Sequence, residues 1–394
     1  MLKYAILSVS LITVMAGAII APAVGSIAVA FPNASGFEIN LLTSLHAAFM
    51  IPFAFVSGFL CRYFSKKTVL IIGLVLYLVA GLGGGFATNM TFLLFTRALL
   101  GVSVGLLMPL STTLVSDYYD GEKRTSMMGL VSAATNLGAI IAIMISGILA
   151  MQGWRAAFYV YGIAAIVMIF VVAFLPRKTP DPVKENKTAK TSLPKSQIAK
   201  YSILIFLVFV VFYSIPSNMA LFLRENGVTN TGISGVIIAA CSLGGFLGGL
   251  TLSGLKKKIK SLYVPVQVML LGIGFGLVVF TQPLVTLGIG VLILGFGYGS
   301  LVPVIFDGVS KAATGAQAMI AMAIVQSFIY LGQFSSPHIH RIVSTSFGDD
   351  SVNYSYTVMA IVLLIVGSLL ILKSLYQLKF AKGTEMPVPQ KKSI

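Results

Sequence analysis

The sequence predicts an all-α membrane protein of twelve transmembrane helices arranged in two six-helix pseudo-symmetric halves. Three observations lead there: a composition too apolar for water, a series of apolar runs each long enough to cross a bilayer, and motifs that recur at a fixed offset. Of the 394 residues, 57% are hydrophobic and only 10% charged, with a mean hydropathy of +0.96. A soluble domain carries about 25% charged residues, so this composition excludes a soluble enzyme, a disordered chain and a secreted disulfide scaffold. The two cysteines, Cys61 and Cys241, lie far apart in or beside apolar runs, which argues against a disulfide framework.

A spanning helix needs about 20 mostly apolar residues. In the first half such runs cover roughly 4–30, 41–60, 68–88, 91–115, 126–150 and 156–175. In the second they cover roughly 202–223, 232–255, 263–280, 284–306, 316–336 and 354–375. The first run follows Lys3 and ends on small residues, as a signal peptide does, but a cleavable apolar region is about 7–15 residues. It therefore reads as an uncleaved first span. The polar stretch 176–200, rich in Pro, Thr and Lys, reads as a flexible linker. The expected organisation is a six-helix bundle over 1–175, a cytoplasmic linker over 176–200, a second bundle over 201–378 and a cytoplasmic tail over 379–394.

Lys and Arg set the expected orientation. Of the 27 basic residues, Arg155, Arg224 and Arg341 fall on one side and Arg97 within a span; the others fall on the opposite side. That asymmetry puts both termini in the cytoplasm and the chain in the cell (inner) membrane. It also accounts for the net charge of +16 without a nucleic-acid partner.

The halves echo each other. Pro22 and Pro216 are 194 positions apart, as are Gly101 and Gly295, Gly105 and Gly299, and Pro109 and Pro303. The same offset relates Leu137-Gly138 to Leu331-Gly332, and a slightly shorter one pairs Gly58…Lys66-Lys67 with Gly249…Lys257-Lys258. Six spans repeated in parallel is the layout of a transporter whose halves face one cavity.

On these residues the chain resembles the major facilitator superfamily, and within it the twelve-span drug:proton antiporter branch. The segment Gly58-Phe59-Leu60-Cys61-Arg62-Tyr63-Phe64-Ser65-Lys66-Lys67 is similar to the family's G-x-L-A-D-R-x-G-R-K signature, with Cys61 where the acid stands and Ser65 for its glycine. Arg97 with Gly101 resembles the R-x-x-x-G motif of the fourth span. Gly147, Trp154, Arg155 and Phe158 resemble the passage from span five to span six, and Leu331 to Pro337 the eleventh span of drug exporters. Of the antiporter motif of span five only Gly138, Ala142, Ile143, Ser146 and Gly147 stand in register, and its Gly-Pro kink is absent. The resemblance implies alternating access, with Arg97 aiding proton transfer and helix positioning.

Few polar groups lie at membrane depth. Arg97 is the one basic residue well inside a span, where insertion costs about 2.5–3.5 kcal/mol and function is the usual reason; a structural clamp on backbone carbonyls is the other reading. An unperturbed histidine titrates at about pH 6.5, which makes His46 in the second span, with Asp307 and Arg97, the candidate proton-coupling set; a hydrogen-bonded packing histidine is the other reading of His46, and Asp307 alternatively pairs with Lys311 one turn on. Asn136, Asn218, Gln326, Tyr330 and Gln333, together with Arg97, are candidate substrate contacts, a few anchors among apolar walls. Gln326, Tyr330 and Gln333 share one helix face. Arg62, Lys66, Lys67, Asp117 and Asp120 are candidate gating residues whose ion pairs break as the halves rock. Gly101-Val102-Ser103-Val104-Gly105 matches a hydrolase elbow in letters but follows no strand, and reads as helix-packing glycine.

The expected function is secondary active transport, as proton-coupled efflux of small amphipathic compounds. The alternative is transport of an anionic small metabolite bound near Arg97, a reading helped by the lack of an acid in the first span. A transporter-fold sensor without flux is a third. No enzyme activity, cofactor or metal site is expected, His338 and His340 beside Asp349 and Asp350 included. No nucleotide-binding loop is present, so an ion gradient supplies the energy. The expected partners are a small-molecule substrate, a proton or other ion and the lipid bilayer, for a monomer.

Overall fold

The structure is a computed structural model describing residues 2–61, 63–119, 121–176, 194–280, 283–313, 316–346, 349 and 351–383. Among these residues there is no strand. Ten helical segments are long and apolar enough to cross a membrane. They are α1 (Leu2–Ala30), α2 (Gly36–Leu60), α3 (Lys66–Gly85), α4 (Met90–Tyr118), α6 (Trp154–Phe174), α7 (Lys195–Glu225), α8 (Thr231–Ile259), α9 (Tyr263–Phe280), α10 (Leu284–Ala312) and α12 (Val352–Gly383). Two further helices complete the order: α5 (Gly121–Ala150), whose apolar part is Leu137–Ala150, and α11 (Ala316–Ser346).

Local chemistry explains where the helices start. Ser35 opens α2 with a capping box, its hydroxyl accepting from the Glu38 N–H while Glu38 accepts from the Ser35 N–H. The side chains of Ser65, Asn89 and Asn230 accept from first-turn N–H groups and so cap α3, α4 and α8. Inside α1, Pro22 lacks an N–H and the chain tightens to a 3₁₀ turn over Ala21–Ala23 before continuing. Several helices outrun the expected spans. α5 starts at Gly121 and α12 runs to Gly383, because their polar and basic ends carry the helix beyond the apolar stretch.

Since lipid is as apolar as the side chains it replaces, helices in a membrane associate through close packing and hydrogen bonds. Small residues permit this here. A Cβ at Gly105 would lie 2.8 Å from Phe53 Cβ and 2.9 Å from the Met50 carbonyl, so α4 can meet α2 only with glycine there. Its counterpart Gly299 presses in the same way on Gly245 of α8. Ser103 is fully buried and donates to the Gly73 carbonyl at 2.8 Å, tying α4 to α3.

The main packing partners are α2 with α4, α3 with α4 and α1 with α5 in the first half of the chain. In the second they are α8 with α10, α9 with α10, α9 with α12 and α7 with α11. The halves meet through α5 against α8 and α2 against α11. One end of the bundle gathers Lys66, Lys67, Lys256, Lys257, Lys258, Lys260 and Lys311 and is called the basic end. The other, with 31–35, 86–89 and 226–230, is the far end.

Candidate substrate and proton pathway

Arg97 sits about two turns into α4 from the far end, roughly 10 Å down at 1.5 Å per residue. It is 1% exposed. Its Nη1 donates to the Tyr161 hydroxyl at 2.7 Å, and that hydroxyl donates onward to the Ala16 carbonyl of α1 at 2.7 Å. The guanidinium lies 5.0 Å from the Phe158 ring centre and 5.2 Å from that of Tyr161, within cation–π range. Tyr77 completes the cage, packing on Tyr161 and donating to the Ile12 carbonyl. Phe158 and Tyr161 are brought there by α6, whose first turns carry Trp154, Phe158 and Tyr161 at successive-turn spacing. Arg97 Nε and Nη2 have no hydrogen-bond partner among the described residues.

Beside this cage the two halves touch. His46 of α2, 3% exposed, lies 3.3 Å through Nε2 from Gln333 Nε2 of α11. Tyr213 of α7 donates to the Thr43 carbonyl of α2 at 3.3 Å. Gly17 of α1 makes room for both: a Cβ there would lie 2.6 Å from His46 Nε2 and 2.8 Å from the Tyr213 hydroxyl.

The same seam continues to the far end. Asn40 donates to the Pro337 carbonyl at 3.1 Å, and Ser44 meets His338 Nε2 at 3.1 Å, with Phe37 and Phe334 packed on the His338 ring. Arg224 donates to the Gly25 carbonyl at 3.2 Å and Thr231 to the Gly147 carbonyl at 3.1 Å. Deeper in, Tyr330 donates to Met108 Sδ and accepts from Gln326 at 3.2 Å. Among the described residues, hydrogen bonds between α1–α6 and α7–α12 thus fall between the far end and about mid-depth.

The basic end is wired within each half. Lys66 and Asp117 form a 2.6 Å ion pair. Lys67 donates to the Val172 carbonyl. Asp307 is engaged twice, by Lys311 at 2.8 Å on the next turn and by Lys256 at 3.1 Å. Both pairs join residues 51 positions apart, Lys66 with Asp117 and Lys256 with Asp307.

The sequence-derived residues therefore separate into groups. Arg97 and His46 lie in one buried neighbourhood, and Gln326, Tyr330 and Gln333 share the α11 face turned toward α2 and α4. Asn218 is elsewhere, in a far-end cavity with Asn40, Arg224 and Arg341. Asp307 sits at the basic end with its lysines. Arg62 and Asp120 lie outside the described residues, as does the side chain of Asn136. Tyr161, Tyr213, Asn40, Ser44 and Met108 were not anticipated, and Phe158 was marked only by the passage from span five to span six; the recurrence of Trp154, Phe158 and Tyr161 at turn spacing was a further visible signal.

A helical bundle of this length and apolarity, with small-residue packing and a polar seam between its halves, defines a multi-pass membrane protein. The profile of the Major Facilitator Superfamily matches residues 6–337, and the chain belongs to that family. It is 26% identical over 333 residues to the multi-drug resistance efflux pump PmrA of Streptococcus pneumoniae, covering 81% of this chain and 82% of that protein. It is 29% identical over 150 residues to the niacin transporter NiaP of Acinetobacter baylyi, covering 38% of this chain and 34% of that one. Its fold matches the crystal structure of the nucleoside transporter NupG with a TM-score of 0.73, over 95% of this chain and 99% of that chain, at 12% identity. The protein is a multi-pass membrane transporter of small molecules with multidrug efflux pumps among its relatives.

Proposed function

We propose that the protein exports small amphipathic compounds in exchange for protons by alternating access. The observation that supports this most is the polar seam: among the described residues its hydrogen bonds lie at and below the far end, while the ion pairs of the basic end join residues within one half. With the basic end in the cytoplasm, as the lysine distribution argues, this is the inward-facing state, closed to the outside. Efflux relatives such as PmrA support the outward direction.

His46 carries the coupled proton. It joins α2 to α11 through Gln333, so a proton there bears on whether the seam holds. Arg97 positions α1, α4 and α6 through Tyr161. Gln326, Tyr330 and Gln333 contact substrate from α11. Asp117 and Asp307 hold basic-end ion pairs that are formed in this state and break as the halves rock.

The second reading, transport of an anionic metabolite at Arg97, draws on one observation: two of the guanidinium's nitrogens have no hydrogen-bond partner among the described residues. A relative named for niacin transport fits that reading.

The test uses purified protein in proteoliposomes with a trapped pH dye and an imposed pH gradient. Dissipation by organic cations or neutral amphiphiles is expected. A response to anions alone, abolished in Arg97→Ala, overturns efflux in favour of the anionic-solute reading.

A further inference from the structure

The lysines of the basic end are spent differently in the two halves. In the first, Lys66 pairs with Asp117 and Lys67 donates to the Val172 carbonyl. In the second, Lys256 and Lys311 share Asp307. The side chains of Lys257, Lys258, Lys260 and Lys373 have no hydrogen bond or ion pair among the described residues, and all are exposed.

The fold gathers these cations. α8 closes on Lys256, Lys257 and Lys258, and the chain passes into α9 through one 3₁₀ turn, Lys260–Leu262. Lys260 takes a left-handed backbone there, φ +46°, which residues bearing a Cβ rarely adopt. The turn packs on α12, where the buried Ser374 donates its hydroxyl to the Ser261 carbonyl at 3.5 Å. Lys373 precedes Ser374 and Lys260 precedes Ser261, so that contact brings both lysines to one corner of the second half.

The corner lies at headgroup depth. Counted from Val352, Lys373 is about 32 Å along α12 at 1.5 Å per residue, close to the roughly 30 Å of a bilayer's hydrocarbon core. The face of α12 leading to it is apolar and turned outward: Ile365 is 54% exposed, Leu369 60% and Leu372 62%, at helical spacing. Cations at that depth, at the end of an exposed apolar stripe, match a molecule with an anionic head and acyl tails.

We infer that this corner binds an anionic phospholipid of the surrounding leaflet. Lys260 and Lys373 hold its phosphate, Lys257 and Lys258 add charge, and its acyl chains lie along Ile365, Leu369 and Leu372. Lysine serves a phosphate as a compact point charge, and basic residues beside a membrane draw anionic lipid. The matching loop of the first half has Lys66 and Lys67 already engaged, which makes it an internal control.

Native mass spectrometry of the purified full chain counts retained lipid, with the melting temperature followed in parallel. The probes are palmitoyl-oleoyl phosphatidylglycerol, phosphatidylcholine with the same acyl chains, and inorganic phosphate. Phosphatidylglycerol is expected to stay bound and to raise the melting temperature, and the other two are not. Its apparent Kd is expected to weaken about fivefold in Lys260→Gln and in Lys373→Gln, and more than tenfold in the double variant. Lys373 is an exposed helical position, so Lys373→Gln reads the site even where Lys260→Gln disturbs the turn. Lys67→Gln is expected to bind as wild type does. Equal retention of phosphatidylcholine, the same stabilisation by inorganic phosphate, unchanged binding in Lys373→Gln, or equal weakening in Lys67→Gln overturns the proposal. No transported substrate enters the measurement, so its failure is distinct from failure of the efflux reading.

Discussion

The two halves of the chain share their packing and their basic-end ion pairs but not their buried charge. Arg97 stands in a cage of Tyr161, Phe158 and Tyr77, whereas the position 194 residues on is Val291, fully buried among apolar neighbours. Gly17, which admits His46 and Tyr213, corresponds likewise to Val211. The Lys66–Asp117 and Lys256–Asp307 pairs, by contrast, are near copies. Close helix packing and a basic-end ion pair recur in both halves. A cation inside the bundle costs several kcal/mol to hold, and one copy is enough to serve a seam that lies between the halves.

That contrast can be broken by substitution. The largest effect is expected for Arg97→Ala, which removes the donor to Tyr161 and the cation between two rings. Transport falls by at least about a hundredfold, the scale of losing a buried charged hydrogen bond of about 3 kcal/mol, while Val291→Ala keeps substantial transport. Flux assays at matched expression decide this, and equal losses in the two variants would erase the asymmetry.

Next in size is Gly17→Ala. Its Cβ collides with His46 and Tyr213, so about tenfold slower transport is expected from overpacking of about 1–3 kcal/mol. Gly58→Ala, where nothing lies within 4 Å, is expected to be silent. Gln333→Ala removes the partner of His46 across the seam. Loosening the far end by about 1 kcal/mol, it is expected to raise labelling of a cysteine introduced at Asn40 by an impermeant maleimide roughly fivefold.

The smallest effects are expected at the basic end. Asp117→Asn removes one partly exposed ion pair and Asp307→Asn removes two, each worth about 0–1 kcal/mol. Each is expected to change transport by no more than about fivefold, and the two to resemble one another. A strong, pH-flattening loss in Asp307→Asn alone would move the proton pathway there.

Much of this was legible in the sequence. Span positions followed from hydropathy, since lipid demands long apolar helices with their backbone bonds satisfied internally. Gly101 and Gly105 announced close helix contact, and Arg97 stood out as the rare buried cation. The i+4 pairing of Asp307 with Lys311 was visible because it is local. Its second partner, Lys256, is 51 positions away and is fixed by how α8 packs on α10. Tyr161 as the partner of Arg97 depends similarly on how α6 packs against α3 and α1. Asn218 shows the limit of reading by polarity: it is a buried polar residue on α7, as expected, but it sits in the far-end cavity rather than with Gln326 and Tyr330. Depth along a helix relative to the seam is set by tertiary packing, which a hydropathy pattern does not encode.

The central claim, that export is exchanged for a proton carried by His46, is tested most directly by substrate-driven proton flux in proteoliposomes holding wild-type protein or His46→Gln. The account predicts proton movement with every substrate that wild-type protein exports. In His46→Gln it predicts loss of that movement and a flat pH dependence, with substrate binding retained. Export by wild-type protein without proton movement, or unchanged coupling in His46→Gln, would contradict it.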